Sequence, residues 1–197
     1  AGCSTVDLQI ALRNSAGSLL ATRSHTLAPT RQFDVIANGL TGFLPSSYGS
    51  LCASIQSGDP DSLDVRMSSY DIAGSPSFRH AFSAPAAFSR KGSQVLSYNN
   101  YFPTLNQVEL SNRIEGWVQV SNDESTAQTG DLVFYTPAGS EAKRTEVTIP
   151  ARGRYDSDSH TVGANTAGGI EWIPDDATKR FRVVHNRYYF AGGVGSR

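Results

Sequence analysis

The chain has 197 residues, 39% hydrophobic and 18% charged, with a formal net charge of −1. That length suffices for one large or two small domains with real cores. The charged fraction lies below the roughly 25% of an average domain; with abundant Gly and Ser, it suits a β-rich extracellular domain better than a helical enzyme. So small a charge creates no field to attract nucleic acid or an anionic membrane, and no apolar run approaches the roughly 20 residues of a membrane-spanning helix.

In chain order, the first landmark is Cys3, which with Cys52 makes up the whole cysteine content. A Cys3–Cys52 disulfide is the expected state in an oxidising compartment, the alternative being two half-buried thiols. "STVDLQIALRNSAG" places Val6, Leu8, Ile10 and Leu12 on one face, the period of a half-buried strand. "NSAG" is a turn cluster and "SLLATRSHTLAP" a return strand, so a hairpin is expected. Further on, Leu51 and Ala53, then Leu63, Val65 and Met67, read as inward positions. "GDPDSLD" brings Asp59, Asp61 and Asp64 close together in the manner of a calcium loop, but lacks the Gly and the bidentate Glu of an EF-hand.

Residues 76–111 read as an inter-unit segment with one strand over Ser93–Asn99. Next, "IEGWVQVSN" reads as a strand with Ile114, Val118 and Val120 inward and Trp117 among polar neighbours. "DLVFY", "TPAGSE" and "KRTEVTI" read as a second hairpin, which Pro150 ends because proline cannot donate to a ladder. "GGIEWI" and "RFRVVHNRYYF" complete the set. The expected core is Val118, Val120, Leu132, Phe134, Val147, Ile149, Ile170, Trp172, Phe181 and Val183. No segment carries a long 3.6-residue apolar stripe, and the basic stretch Lys179 to Val184 reads as a solvated strand face.

A search for chemistry returns little. Asp156, Asp158 and His160 in "DSDSH" are the best metal-like run; a polar loop is the plainer reading, and no second cluster stands at ligand spacing. No nucleophile elbow, zinc-protease helix or phosphate loop occurs. His25 and His185 fall at strand positions suited to apolar packing. The expectation is therefore no enzyme and no cofactor. Trp117, Tyr98 and Tyr101 form an aromatic candidate site: a ring on a polar sheet face stacks on sugar or on protein, unless the Tyr98–Pro103 segment folds over Trp117 and buries it.

The chain also repeats itself. At an offset of 122, five of the nineteen pairs from Ala16 to Asp34 are identical, and Phe33 faces Tyr155. "SLDVRMSSYDI" lies against "RFRVVHNRYYF" at an offset of 118. Fixed-period similarity implies a repeated structural unit. The expectation is an all-β chain of two tandem immunoglobulin-like antiparallel β-sandwiches, at 1–75 and 112–197. "TEVTIPARGRYDSDS", together with "NRIEGWVQVSNDES" before "GDLVFYTPAG", resembles the immunoglobulin-like repeats of large secreted or surface-attached bacterial proteins, including the cell-adhesion-related domains. The likeness runs closely over Asn112–Phe190 and more loosely over Ser4–Ile72. It implies that fold and an extracellular or cell-surface location, and it transfers no catalytic residue.

The functional expectation is a structural or adhesion module with protein as its partner, including copies of itself in fibres or arrays. The alternatives are a carbohydrate-binding module with a glycan partner, or an accessory domain of a secreted hydrolase. The first unit offers no counterpart to Ile114–Asn122 ahead of its hairpin. Three donors of that strand are conceivable: Ser93–Asn99, a neighbouring molecule, or chain outside these residues.

Overall fold

The computed structural model describes residues 4–42, 48–72, 78–99, 113–163 and 165–190. Among them are twelve strands, paired antiparallel, and no α-helix. The chain is all-β and divides into two compact units, Ala1–Ala86 and Ala87–Arg197.

In the first unit, β1 (Val6–Asn14), β2 (Leu19–Leu27) and β3 (Gly49–Ser57) form a sheet in the order β2-β1-β3. The alternation in β1 places Val6, Leu8, Ile10 and Leu12 on one face, where all four are buried. Phe33 stacks on His25 at a centroid distance of 3.6 Å and lies beneath the Arg23 guanidinium at 5.1 Å. Both residues share the buried face, since His25 pairs with Leu8 and Arg23 with Ile10. β4 (Arg66–Ile72) pairs with β5 (Phe78–Pro85), a strand that the sequence pattern did not announce. Asp59 accepts a hydrogen bond from the Asp61 amide and caps a short 3-10 turn, while Asp64 pairs with Arg66 at 3.0 Å. Three expected inward residues are corrected here: Leu51 is 42% exposed and Met67 51%, and Ala53 is exposed as well.

The second unit is a sandwich of seven strands. β6 (Gln94–Asn99), β8 (Gln128–Tyr135), β9 (Glu141–Ile149) and β11 (Ala167–Pro174) form one sheet in the order β6-β11-β8-β9. β7 (Arg113–Asn122), β10 (Arg154–Asp158) and β12 (Phe181–Phe190) form the other in the order β10-β7-β12. All ten expected core residues are buried in one cluster fed by both sheets, and Tyr98 joins them. On the opposite face of β8, Val133 is also fully buried. Its cross-strand neighbours are Arg144 and Glu171; Arg144 reaches to Asp131 and Glu141 while Glu171 accepts from the Tyr135 hydroxyl. Because Gln94–Asn99 pairs with β11, the Ser93–Asn99 segment is not the donor to the first unit.

One buried polar residue locks the corner of this sandwich. Asn122 is 1% exposed, and its amide nitrogen donates to the carbonyls of Thr126 (2.8 Å), Ile149 (3.2 Å) and Pro150 (2.9 Å). Its side-chain oxygen accepts from the Glu124 amide at 2.8 Å. The end of β7 is thereby tied to the end of β9, where Arg152 adopts φ 58 and donates its amide to Glu124.

Candidate functional site

The residues first considered for binding do not converge. The Tyr98 ring, 3% exposed, meets Phe134 edge-on at 5.8 Å and is a core side chain rather than a stacking platform. Trp117 is half-buried on the outer side of β7, in a row with Asp158 of β10 and Asn186 of β12. Tyr101 lies outside the described residues, as does the rest of the Tyr98–Pro103 segment beyond Asn99 that was the alternative cover for Trp117. Asp156 is held by Arg154 through contacts of 2.7 and 2.6 Å, and Asp158 accepts from the Thr161 amide at 3.1 Å. Nothing is described for the His160 side chain, and no group of three or more His, Cys, Asp or Glu placed to hold a metal occurs among the described residues. Cys3 also lies outside them; Cys52 sits on β3 opposite Ala11, on the side of the sheet away from Leu51.

What the structure does bring together is one sheet built twice. The β1–β2 hairpin and the β8–β9 hairpin coincide residue for residue at the offset of 122. Gly17 and Gly139 take φ 87 and φ 82, as a type I turn with a G1 bulge requires. Asn14 N–H donates to Ser18 at 3.1 Å and Thr136 N–H to Ser140 at 2.8 Å. The next turn bond, Gly17 to Asn14 at 3.0 Å, recurs as Gly139 to Thr136 at 2.9 Å. The strand register shifts after Leu12 in one hairpin and after Phe134 in the other. The corner that follows recurs as well. Thr30 and Arg152 both adopt left-handed φ, 61 and 58, beside the matching bonds Arg31 to Ala28 and Gly153 to Pro150.

The third strand matches too. Leu12 pairs with Leu51, and Phe134 with Ile170. Gly49 in β3 and Gly168 in β11 are forced by the same contact: a Cβ would collide with the carbonyl of Arg13 in one unit and of Tyr135 in the other. Thr26 bonds to Asp7 at 2.6 Å where Thr148 bonds to Thr129 at 3.0 Å. Asp7 also accepts from Ser57 at 2.5 Å, and these bonds, from Ser57 and then Thr26, hold its carboxyl below the ordinary range.

The two copies differ at one edge. In the second unit, β6 lies along β11, with Tyr98 opposite Gly168 and Leu96 opposite Ile170. Ile170 is fully buried there. In the first unit, no described strand lies on the outer side of β3, and Leu51, the counterpart of Ile170, is 42% exposed. A second difference follows the same logic. Residues 32–36 correspond to β10 at the offset of 122 but form no ladder, whereas β10 pairs with β7. No family model matches the chain, and comparison with curated proteins and with solved structures likewise found no match.

Proposed function

We propose that the chain is a non-enzymatic structural module of two immunoglobulin-like units, of the extracellular or cell-surface class its corner motifs resemble, that assembles with other protein by strand pairing. The observation that carries this reading is the sheet built twice and flanked, among the described residues, by a fourth strand in one unit only. An uncovered edge strand exposes a row of N–H and C=O groups and is a template for another strand. Strand order supports the immunoglobulin-like part. The pairs β7–β10 and β8–β11 have the arrangement of the B–E and C–F pairs of that fold, while β6 flanks β11 and β12 flanks β7. The first strand thus takes the edge usually given to the last, and the last takes that of the first. Such an exchange suits a fold whose edge strands are supplied from outside the central pairs.

A carbohydrate-binding reading draws on the Asp158–Trp117–Asn186 row, which sets an aromatic ring between two hydrogen-bonding side chains. Glycan binding that disappears in Trp117→Ala would favour it. Sedimentation velocity across a wide concentration range tests the assembly reading. A mass that rises with concentration is expected, and a single monomer at every concentration would refute it.

A further inference from the structure

We infer that the core of the second unit contains a buried water site, where water bridges the side-chain amide of Gln128 and the indole N–H of Trp172. Gln128 is 3% exposed and Trp172 fully buried. Gln128 Oε1, Gln128 Nε2 and Trp172 Nε1 are all buried and find no hydrogen-bond partner among the described residues. Polar atoms left bare in an interior cost free energy, and native proteins pair them with protein groups or with ordered water.

The three atoms belong to one end of the core. Gln128, Gly130, Leu132 and Phe134 follow one another along the inner face of β8, and Trp172 pairs with Leu132. The indole leans towards the start of β8. A Cβ on Gly130 would stand 2.8 Å from Trp172 Cζ2, the neighbour of the ring carbon that bears the nitrogen. Gln128 is the next inward residue, about 7 Å further along the strand. The surrounding contacts close the same end. Ile149, the cross-strand partner of Gln128, gives its carbonyl to Asn122; Phe181, the partner of Asn122, meets the indole edge-on at 6.5 Å.

The duplicated sheet shows that the fold alone does not ask for polar groups here. Val6 pairs with Leu27 as Gln128 pairs with Ile149, so the first unit holds a buried valine at the position of the amide. Ala53 pairs with Ile10 as Trp172 pairs with Leu132, so it holds an alanine at the position of the indole. Between them, Leu8 stands where the second unit has Gly130, whose missing side chain leaves room for the ring. Both polar groups are therefore particular to one copy and occur there together. Water accepts from N–H and donates to a carbonyl oxygen, so it answers the indole and both ends of the amide. An apolar guest would leave all three atoms bare.

The test is nuclear Overhauser spectroscopy between water and the indole protons of the isotope-labelled full chain. The chain has two tryptophans, so Trp117→Phe leaves the Trp172 signal alone. That signal should show a cross-peak to water that stays bound longer than the molecule takes to tumble. Gln128→Met keeps the length of the side chain and removes both amide atoms. It should abolish the cross-peak while the circular dichroism stays that of the wild type. A Trp172 proton without a water cross-peak in the wild type, or lying against the Gln128 side chain in a direct bond, would overturn the proposal. So would a cross-peak that survives unchanged in Gln128→Met. Should that variant fail to fold, a wild-type crystal structure decides: a water within about 3.2 Å of Trp172 Nε1 and of the Gln128 amide is expected, and density without one refutes the site.

Discussion

Ile170 and Leu51 occupy the same place in two copies of one sheet, so truncating each to Ala is a matched experiment. Ile170 is fully buried beside Phe134 and under the strand that carries Leu96. Ile170→Ala should leave a cavity and cost about 2–5 kcal/mol. Leu51→Ala removes three carbons at about 0.8 kcal/mol per buried group. With Leu51 42% exposed, the buried share is 1 − 0.42 = 0.58, so the loss comes to about 1.4 kcal/mol, without a closed cavity to add to it. The two units can be read apart, because both tryptophans, Trp117 and Trp172, belong to the second. Denaturant titration followed by tryptophan fluorescence measures Ile170→Ala, and exchange of the β1 amides measures Leu51→Ala. An equal or larger loss at Leu51 would mean that β3 is covered as fully as β11, and the reasoning would fail.

Phe134→Ala and Phe181→Ala should each lower the stability of the second unit by about 3–5 kcal/mol in the same fluorescence titration, both rings being buried. Asn122→Ala should cost about 1–3 kcal/mol, because three carbonyls at the sandwich corner lose their donor. Gly168→Ala and Gly49→Ala should each destabilise only their own unit, by about 1–3 kcal/mol, since the carbonyls of Tyr135 and Arg13 block the new methyl group. Asp7 contributes stability that is full above its ordinary pKa of 3.8 and lost as pH falls through its lower folded value. Acid titration below that point should loosen β1–β3 exchange in the wild type, and Asp7→Asn should remove that pH dependence.

The hairpins and the second core were legible in the sequence for a simple reason. Period-two alternation reports burial wherever a strand has one wet face, and Val147 and Ile149 against Glu146 and Thr148 are an example. The offset of 122 was legible because turn chemistry is local: Gly17 and Gly139 are needed for the same left-handed φ. What covers a strand is not local, and there the pattern misled. Leu51 has the parity of a core residue, but no described strand flanks it as β6 flanks Ile170. Tyr98 looked like a surface aromatic because its strand pairs with β11, more than sixty residues away in sequence. Asn122 read only as the last residue of a strand, since its value lies in carbonyls that the fold brings to it. β5 was missed because "FRHAFSAP" shows little alternation and its partner β4 does not announce a hairpin.

One sheet is built twice and, among the described residues, is flanked by a fourth strand once. Residue-resolved amide exchange in dilute solution tests it most directly, because an interior strand bonds its neighbours on both sides and an edge strand on one. β11 amides should all exchange slowly, while alternate amides along Leu51–Ser57 should exchange quickly. Uniformly slow exchange throughout β3, matching β11, would contradict the account.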